Sequence, residues 1–198
     1  SSNDGEKFFL YAIWREDDYT LAFKSIDAAM PADYIVYEKG SLGLPESGEG
    51  WTVEYTSDSK LFSGGSIVSQ PESGTEKITV TAAVTVNGVT KMRSYTLTVY
   101  SETEGALNKA AAAIPSMLRP KYGTDTNVLD MLKALIGESK VGLALKDGVT
   151  GSYSAIAADG TISYYFNSNM YGIVPNLSVT AVLTLNGRTA EKEVSVYV

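Results

Sequence analysis

Neither cysteine nor histidine occurs among the 198 residues. Without cysteine there is no disulfide, no thiolate nucleophile and no cysteine-based metal site. Without histidine, the commonest general base and the commonest metal ligand at neutral pH are missing. Positive charge is also short, with 16 Lys and Arg against 23 Asp and Glu for a net charge of −7. Nucleic acid is excluded as a partner on that balance, since phosphate contacts need clustered Lys and Arg. Long apolar runs are lacking. The longest candidate, Phe8 to Trp14, has strand length, far below the ~20 residues a membrane-spanning helix needs.

What the chain does have is a repeat. Val80-Thr81-Ala82-Ala83-Val84-Thr85-Val86-Asn87-Gly88 returns as Val179-Thr180-Ala181-Val182-Leu183-Thr184-Leu185-Asn186-Gly187. Each run alternates apolar and polar residues, the mark of a half-buried strand. Each stops at Asn-Gly, which tolerates the two positive φ angles of a type I′ hairpin turn. A second alternating run follows each turn, Tyr95–Val99 and Val194–Val198. Upstream, Gly65-Ser66-Ile67 matches Gly160-Thr161-Ile162, and Trp51–Tyr55 matches Val141–Leu145. Further back, Ala28-Ala29-Met30-Pro31 matches Ala112-Ala113-Ile114-Pro115. The order of the blocks is kept while their spacing changes, as a duplication with insertions would leave it.

The expected fold is mainly β: two tandem immunoglobulin-like β-sandwich units, the second with added helices. The first unit covers residues 1–102, with a polar N-terminal tether and a leading strand, and the second covers 103–198. The boundary falls at Ser101–Gly105. Phe8–Trp14 is either an edge strand of the first unit or the last strand of a preceding one. One helix is expected over Thr103–Leu118, with Leu107, Ala111, Ile114 and Leu118 facing inward and Pro115 ending or kinking it. A second is expected over Asp125–Ile136, capped by Asp125 or Thr126 and closed by Gly137. Its apolar residues Val128, Leu129, Met131, Leu132, Leu135 and Ile136 share one face, and the first unit shows no comparable segment.

These blocks resemble the bacterial immunoglobulin-like domains, in particular the atrophied group. The features that carry the resemblance are Trp51 before the turn Thr56-Ser57-Asp58-Ser59, the steps Ser66-Ile67 and Asp159-Gly160-Thr161-Ile162, and the terminal hairpins. Together they cover most of residues 24–198. The second unit departs from the pattern, with Val141 or Leu143 where the Trp would fall. The resemblance implies an accessory module of a secreted or surface-attached bacterial protein, a fold-specifying core Trp, and no catalytic residues.

Candidate ligand-binding residues are Tyr153, Tyr164, Tyr165 and Tyr171, with Phe166 nearby and the amides of Asn167 and Asn169. Aromatic rings stack on sugar faces while amides bond hydroxyls. Strand packing explains the same residues, since Tyr and Phe favour strands and alternation puts Tyr164 and Tyr165 on opposite faces. Asp17-Asp18 and Asp125-Thr126-Asn127 offer oxygens for calcium, but neither has the spacing of a calcium loop. A solvated turn and a helix cap account for them, and no catalytic, metal or cofactor residue is assigned. The expected function is a non-catalytic structural or adhesive module, exported to the cell surface or secreted. It is expected to be monomeric and to contact a surface glycan or another protein. A carbohydrate-binding role for the tyrosine-rich segment is the alternative. The polar opening Ser1–Lys7 resembles the tether of bacterial lipoproteins and is compatible with a lipid anchor upstream.

Overall fold

The computed structural model describes residues 17–137, 140–165 and 176–198. Expectations for Phe8–Trp14, Phe166, Asn167, Asn169 and Tyr171 lie outside the described residues. In chain order the elements are α1 (Asp18–Ala29), β1 (Tyr34–Val36), β2 (Gly40–Ser41), β3 (Ser47–Gly48), β4 (Trp51–Ser57), β5 (Phe62–Ser63), β6 (Ser66–Ile67), β7 (Thr75–Val86) and β8 (Val89–Tyr100). There follow α2 (Glu102–Ala113), β9 (Met117–Leu118), α3 (Val128–Ile136), β10 (Gly142–Leu145), β11 (Val149–Thr150), β12 (Ser154–Ile156), β13 (Ile162–Tyr164), β14 (Asn176–Leu185) and β15 (Arg188–Tyr197).

Both Asn-Gly pairs turn hairpins. Asn87 and Gly88 have φ of 49° and 79°, and Asn186 and Gly187 of 51° and 74°, the double positive φ of a type I′ turn. The turns lock β7 to β8 from Val86↔Val89 to Thr75↔Tyr100, and β14 to β15 from Leu185↔Arg188 to Asn176↔Tyr197. Alternation then decides the faces: Ile78, Val80, Ala82, Val84 and Val86 point into a core while the residues between them do not.

Each hairpin anchors a main sheet, ordered β1-β8-β7-β4-β3 in the first half and β10-β14-β15-β9 in the second. Small sheets β2-β6-β5 and β11-β12-β13 accompany them. The short strands β1 and β9 return parallel to β8 and β15. The result is mainly β and of the immunoglobulin-like sandwich class, with the final hairpin central in the main layer. Two clusters of buried residues form, one drawn from Ala22 to Val99 and one from Leu107 to Val196.

The small sheets have strands of two or three residues against ten or twelve in the hairpins, so helices complete the second layer. α1 packs on β7 and β4 and brings Ala22, Phe23, Ile26 and Met30 into the first core. This corrects the expectation that helices belong to the second unit alone. α1 is the counterpart of α2: Asp17 and Ser101, Phe23 and Leu107, Ile26 and Ala110, and Met30 and Ile114 each lie 84 positions apart. α2 runs from Glu102 to Ala113 rather than to Leu118, because Pro115 cannot continue it. Leu107, Ile114 and Leu118 are buried, Leu118 in β9 rather than in the helix, and Ala111 is half-buried.

α3 starts at Val128, later than expected. Its cap is Asn127, whose Oδ1 accepts from the Asp130 N–H at 3.0 Å, while Asp125 turns back to accept from the Lys121 N–H. Gly137 closes it with a φ of 66°. The six apolar residues are not buried together. Val128 and Leu132 are fully enclosed, Leu129, Met131 and Ile136 are half-buried, and Leu135 is 45% exposed. The helix packs on α2 and on the edge strand β10. Just before it, Asn127 bridges Thr161, and the Val128 and Ile162 N–H groups donate to the Gly160 and Thr126 carbonyls. That bridge stands where β2 pairs with β6 in the first half.

Register also fixes the counterpart of Trp51. Thr52 faces Thr85, and Gly142 faces Thr184, so Val141 takes the tryptophan's place. Trp51 is 9% exposed and Val141 6%. The indole fits because residue 48 is glycine: a Cβ there would lie 2.4 Å from the ring. Trp51→Ala should cost about 3–5 kcal/mol, the usual price of removing a large aromatic from a core. Urea unfolding checks this, and a loss below roughly 1 kcal/mol would place the ring outside the load of the core.

Candidate functional site

Of the tyrosines named from the sequence, Tyr153, Tyr164 and Tyr165 lie among the described residues. Tyr164 is half-buried against the second core. Its ring meets Tyr122 edge-on, with centroids 4.9 Å apart and planes at 77°. Burial, and then the nearby Tyr122 and Asp125, push the Tyr164 hydroxyl above its ordinary pKa. Tyr165 is 49% exposed, and its N–H donates to the carbonyl of half-buried Tyr153 at 2.7 Å. Tyr122, itself 63% exposed, was not a sequence candidate. It reaches Tyr164 from the loop ahead of α3, and no local pattern signals a pairing of that separation.

Both calcium candidates serve as helix ends. Asp17 caps α1, its carboxylate accepting from the Thr20 N–H at 3.0 Å and the Thr20 hydroxyl at 2.9 Å. Those bonds, the backbone one first, hold its pKa below the usual carboxylate value. Asp18 is the first residue of α1, so the expected solvated turn is a helix start. Among the described residues, no three acidic side chains gather as a metal site.

The most elaborate polar arrangement lies where β8 passes into α2. Ser101 is 2% exposed. Its N–H donates to the Gly74 carbonyl at 2.9 Å, and its hydroxyl caps α2 and bonds the Glu104 carboxylate. Glu104 also accepts from the Gly74 N–H at 2.8 Å. The Ser101 bond, ahead of the other contributions, keeps the Glu104 carboxyl below its ordinary pKa. Gln70 donates to the carbonyls of both Tyr37 and Tyr100, at 3.0 and 2.8 Å, and those two rings lie 5.5 Å apart. Gly105 lets α2 lie against the backbone just after β1, since a Cβ there would sit 2.0 Å from the Tyr37 carbonyl oxygen. Beside this contact lies a cleft of about 710 Å³ floored by Tyr37, Ala106, Ala110, Leu135 and Ile136. The Lys109–Glu38 pair at its rim spans 2.8 Å. Both partners are largely exposed, and such pairs contribute less than about 1 kcal/mol.

A second polar cluster ties α1 to β8. Asp27 accepts from Arg93 at 2.7 Å and from the Tyr95 hydroxyl at 2.7 Å. Arg93 also stacks over Phe23, and Lys91 over Tyr19. Partial burial pushes the Asp27 carboxyl up, but the Tyr95 and Arg93 hydrogen bonds outweigh it and leave the group below its ordinary pKa.

No family model matches the chain, and no curated protein matches it. Among solved structures, mouse protocadherin-24 EC1-3 is similar over 74% of this chain and 58% of its own, at 11% identity and a TM-score of 0.26. Drosophila N-cadherin EC1-4 is similar over 85% of this chain and 47% of its own, at 10% identity and a TM-score of 0.22. An endo-fucoidan hydrolase of glycoside hydrolase family 107 aligns over 84% of this chain and 27% of its own, at 11% identity and a TM-score of 0.25. The chain thus spans from about a quarter to somewhat over half of these structures, and likeness at this level assigns no function. The resemblance to the atrophied bacterial group rests on the sequence blocks alone.

Gly105→Ala gives a sharp test of the junction. Alanine in a helix interior is favoured over glycine by about 1 kcal/mol, so any loss must come from the contact with Tyr37. Because the chain lacks cysteine, Asp58→Cys and Asp147→Cys accept spin labels cleanly. The label-to-label distance distribution should be narrow, and should broaden or shift when Gly105→Ala is added. An unchanged distribution would show that the contact does not set the angle between the two cores.

Proposed function

We propose that this chain is a non-catalytic structural or adhesive module of an exported bacterial protein, made of two units, residues 1–102 and 103–198, held at a fixed angle. The observation that carries the reading is the junction. β8 ends at Tyr100 and α2 begins at Glu102, with the intervening Ser101 buried and bonded on both sides. A joint without a flexible linker suits a spacer that holds a binding surface away from its point of attachment. The composition agrees, because a chain without His or Cys has few routes to acid–base, nucleophilic or metal-assisted catalysis. Location at the cell surface or in the medium, as a monomer, belongs to the same proposal.

Carbohydrate binding is the second reading, favoured by the exposure of Tyr122 and Tyr165 and by the edge-on contact of Tyr122 with Tyr164. Rings and amides in the 153–171 segment would then hold a sugar. A glycan array probed with the full chain and with Tyr165→Ala separates the two. The adhesive reading expects no glycan signal that depends on Tyr165, and expects chain-coated beads to resist detachment from protein-coated surfaces under flow. A defined glycan whose signal falls at least tenfold with Tyr165→Ala, a difference of about 1.4 kcal/mol, would overturn it in favour of the second reading.

A further inference from the structure

The two main sheets end differently. In the second half the edge strand β10 is covered by α3. In the first half β4 pairs with β7 from Thr52 to Ser57, while on its other side β3 takes up Trp51 and Thr52. Among the described residues, nothing pairs with that side of β4 from Val53 onward. The chain just before β3 does not continue the pairing beyond Ser47↔Thr52, and there the Tyr55 hydroxyl donates to the Pro45 carbonyl at 2.7 Å. Burial pushes the Tyr55 hydroxyl pKa up to about 12, so this bond holds throughout the neutral range.

The orientation of the open edge follows from the hairpin. The residues flanking a two-residue turn form a hydrogen-bonded pair, here Val86 and Val89. Thr85 therefore turns its N–H and C=O toward β4, where Thr52 stands opposite. By alternation, Val53, Tyr55 and Ser57 turn theirs to the open side. Next to them lies a cleft of about 450 Å³ lined by Leu44, Val53, Tyr55, Ser41 and the glycines of the β5–β6 turn, with Glu46 and Glu54 at its edge. Glu46 and Glu54 are both exposed.

We infer that the open side of β4, residues Val53–Ser57, receives an extended strand of a partner protein, apolar on its inward face and Lys- or Arg-bearing on its outward face. Backbone groups supply the pairing, as in other additions of a strand to a sheet edge. Apolar side chains drop toward Leu44, Val53 and Tyr55, and the outward cations meet Glu54 and Glu46. Long uncovered edges are rare in proteins that stay single, because they template further pairing. Here the edge is flanked by acidic side chains, which favour a basic strand over a second, acidic copy of this chain.

The inference rests on the reading of the chain as a binding module, and the experiment separates the two. The full chain, labelled with ¹⁵N, is titrated with an acetylated and amidated heptapeptide, Lys-Val-Thr-Val-Lys-Val-Thr. Amide shifts should concentrate on Val53, Tyr55, Ser57, Leu44 and Gly65. Methylating one alternate set of peptide nitrogens should abolish binding, while methylating the other set should leave it intact. Glu54→Lys, at an exposed position, should weaken the peptide about threefold, the scale of one exposed ion pair. It should also strengthen a peptide carrying Glu in place of Lys. No shifts at millimolar peptide, equal loss with both methylated peptides, self-association through Tyr55, or binding seen only after removal of residues 1–16 would each overturn the inference. An edge that stays silent while chain-coated beads still hold under flow overturns the edge alone. Failure of both overturns the module.

Discussion

The fold depends on a mismatch in area between its two layers. A hairpin of twelve-residue strands, rising about 3.4 Å per residue, is some 40 Å long, and β7 buries alternate residues along it from Ile78 to Val86. The partner sheet in the first half has strands of two residues, and that in the second has strands of two or three. Such sheets cover a fraction of the hairpin face. Leaving the rest in water would forgo about 1.5–3 kcal/mol for each large aliphatic side chain. Helices make up the difference: α1 over β7 and β4, α2 over β14 and β15, α3 against β10. What looks like a sandwich with helical additions is one solution reached twice, with helix and small sheet sharing the work of the second layer.

The same mismatch explains why Trp51 and α3 occur in different halves. Register gives Val141 the place of Trp51, so the second core loses a large ring. In that half the stretch between β9 and β10 forms α3, which inserts Val128 and Leu132 with no exposed surface. In the first half the corresponding stretch stays extended as β2 and β3, and the indole reaches across to Gly48. One half thus completes its core with a large aromatic, the other with residues of an amphipathic helix. The choice has a second effect, because the helix also closes an edge of its sheet while the aromatic leaves the edge of β4 uncovered among the described residues.

The parts of this fold legible in the sequence were those where one backbone requirement maps onto one residue type. Asn-Gly supplied both turns, and strict alternation supplied the buried faces of β7 and β14. Pro115 marked a helix end. α1 was missed because Asp17-Asp18 read as a solvated turn and because only Ala22, Phe23 and Ile26 of its twelve residues are buried. The match of Ala28-Ala29-Met30-Pro31 to the end of an expected helix already held the information, since a duplicated helix end implies a duplicated helix. α3 lies within the expected span, from Val128 to Ile136, and its shared apolar face is buried only in part. Spacing identifies a face of a helix and leaves undetermined how much of that face its neighbours can reach, so Leu135 stands out in solvent.

The surfaces available for function were harder to read for a related reason. An aromatic cluster in sequence is a statement about composition, and alternation divides it between two faces. The edge of Tyr164 is met by Tyr122, a residue from another part of the chain, and such a meeting depends on where α3 docks. The open side of β4 has no sequence signature of its own. It exists because the pairing of β3 stops at Ser47↔Thr52 and because the first half fills its core with a ring instead of α3. Both facts concern what is next to β4 rather than what is in it. In a duplicated fold, then, the informative comparison is between equivalent edges. Where one copy is covered and the other is open, the covered copy shows the type of element the open one can receive: something that satisfies an edge and fills a shallow apolar cleft. An incoming strand does both, with the backbone pairing that α3 cannot offer.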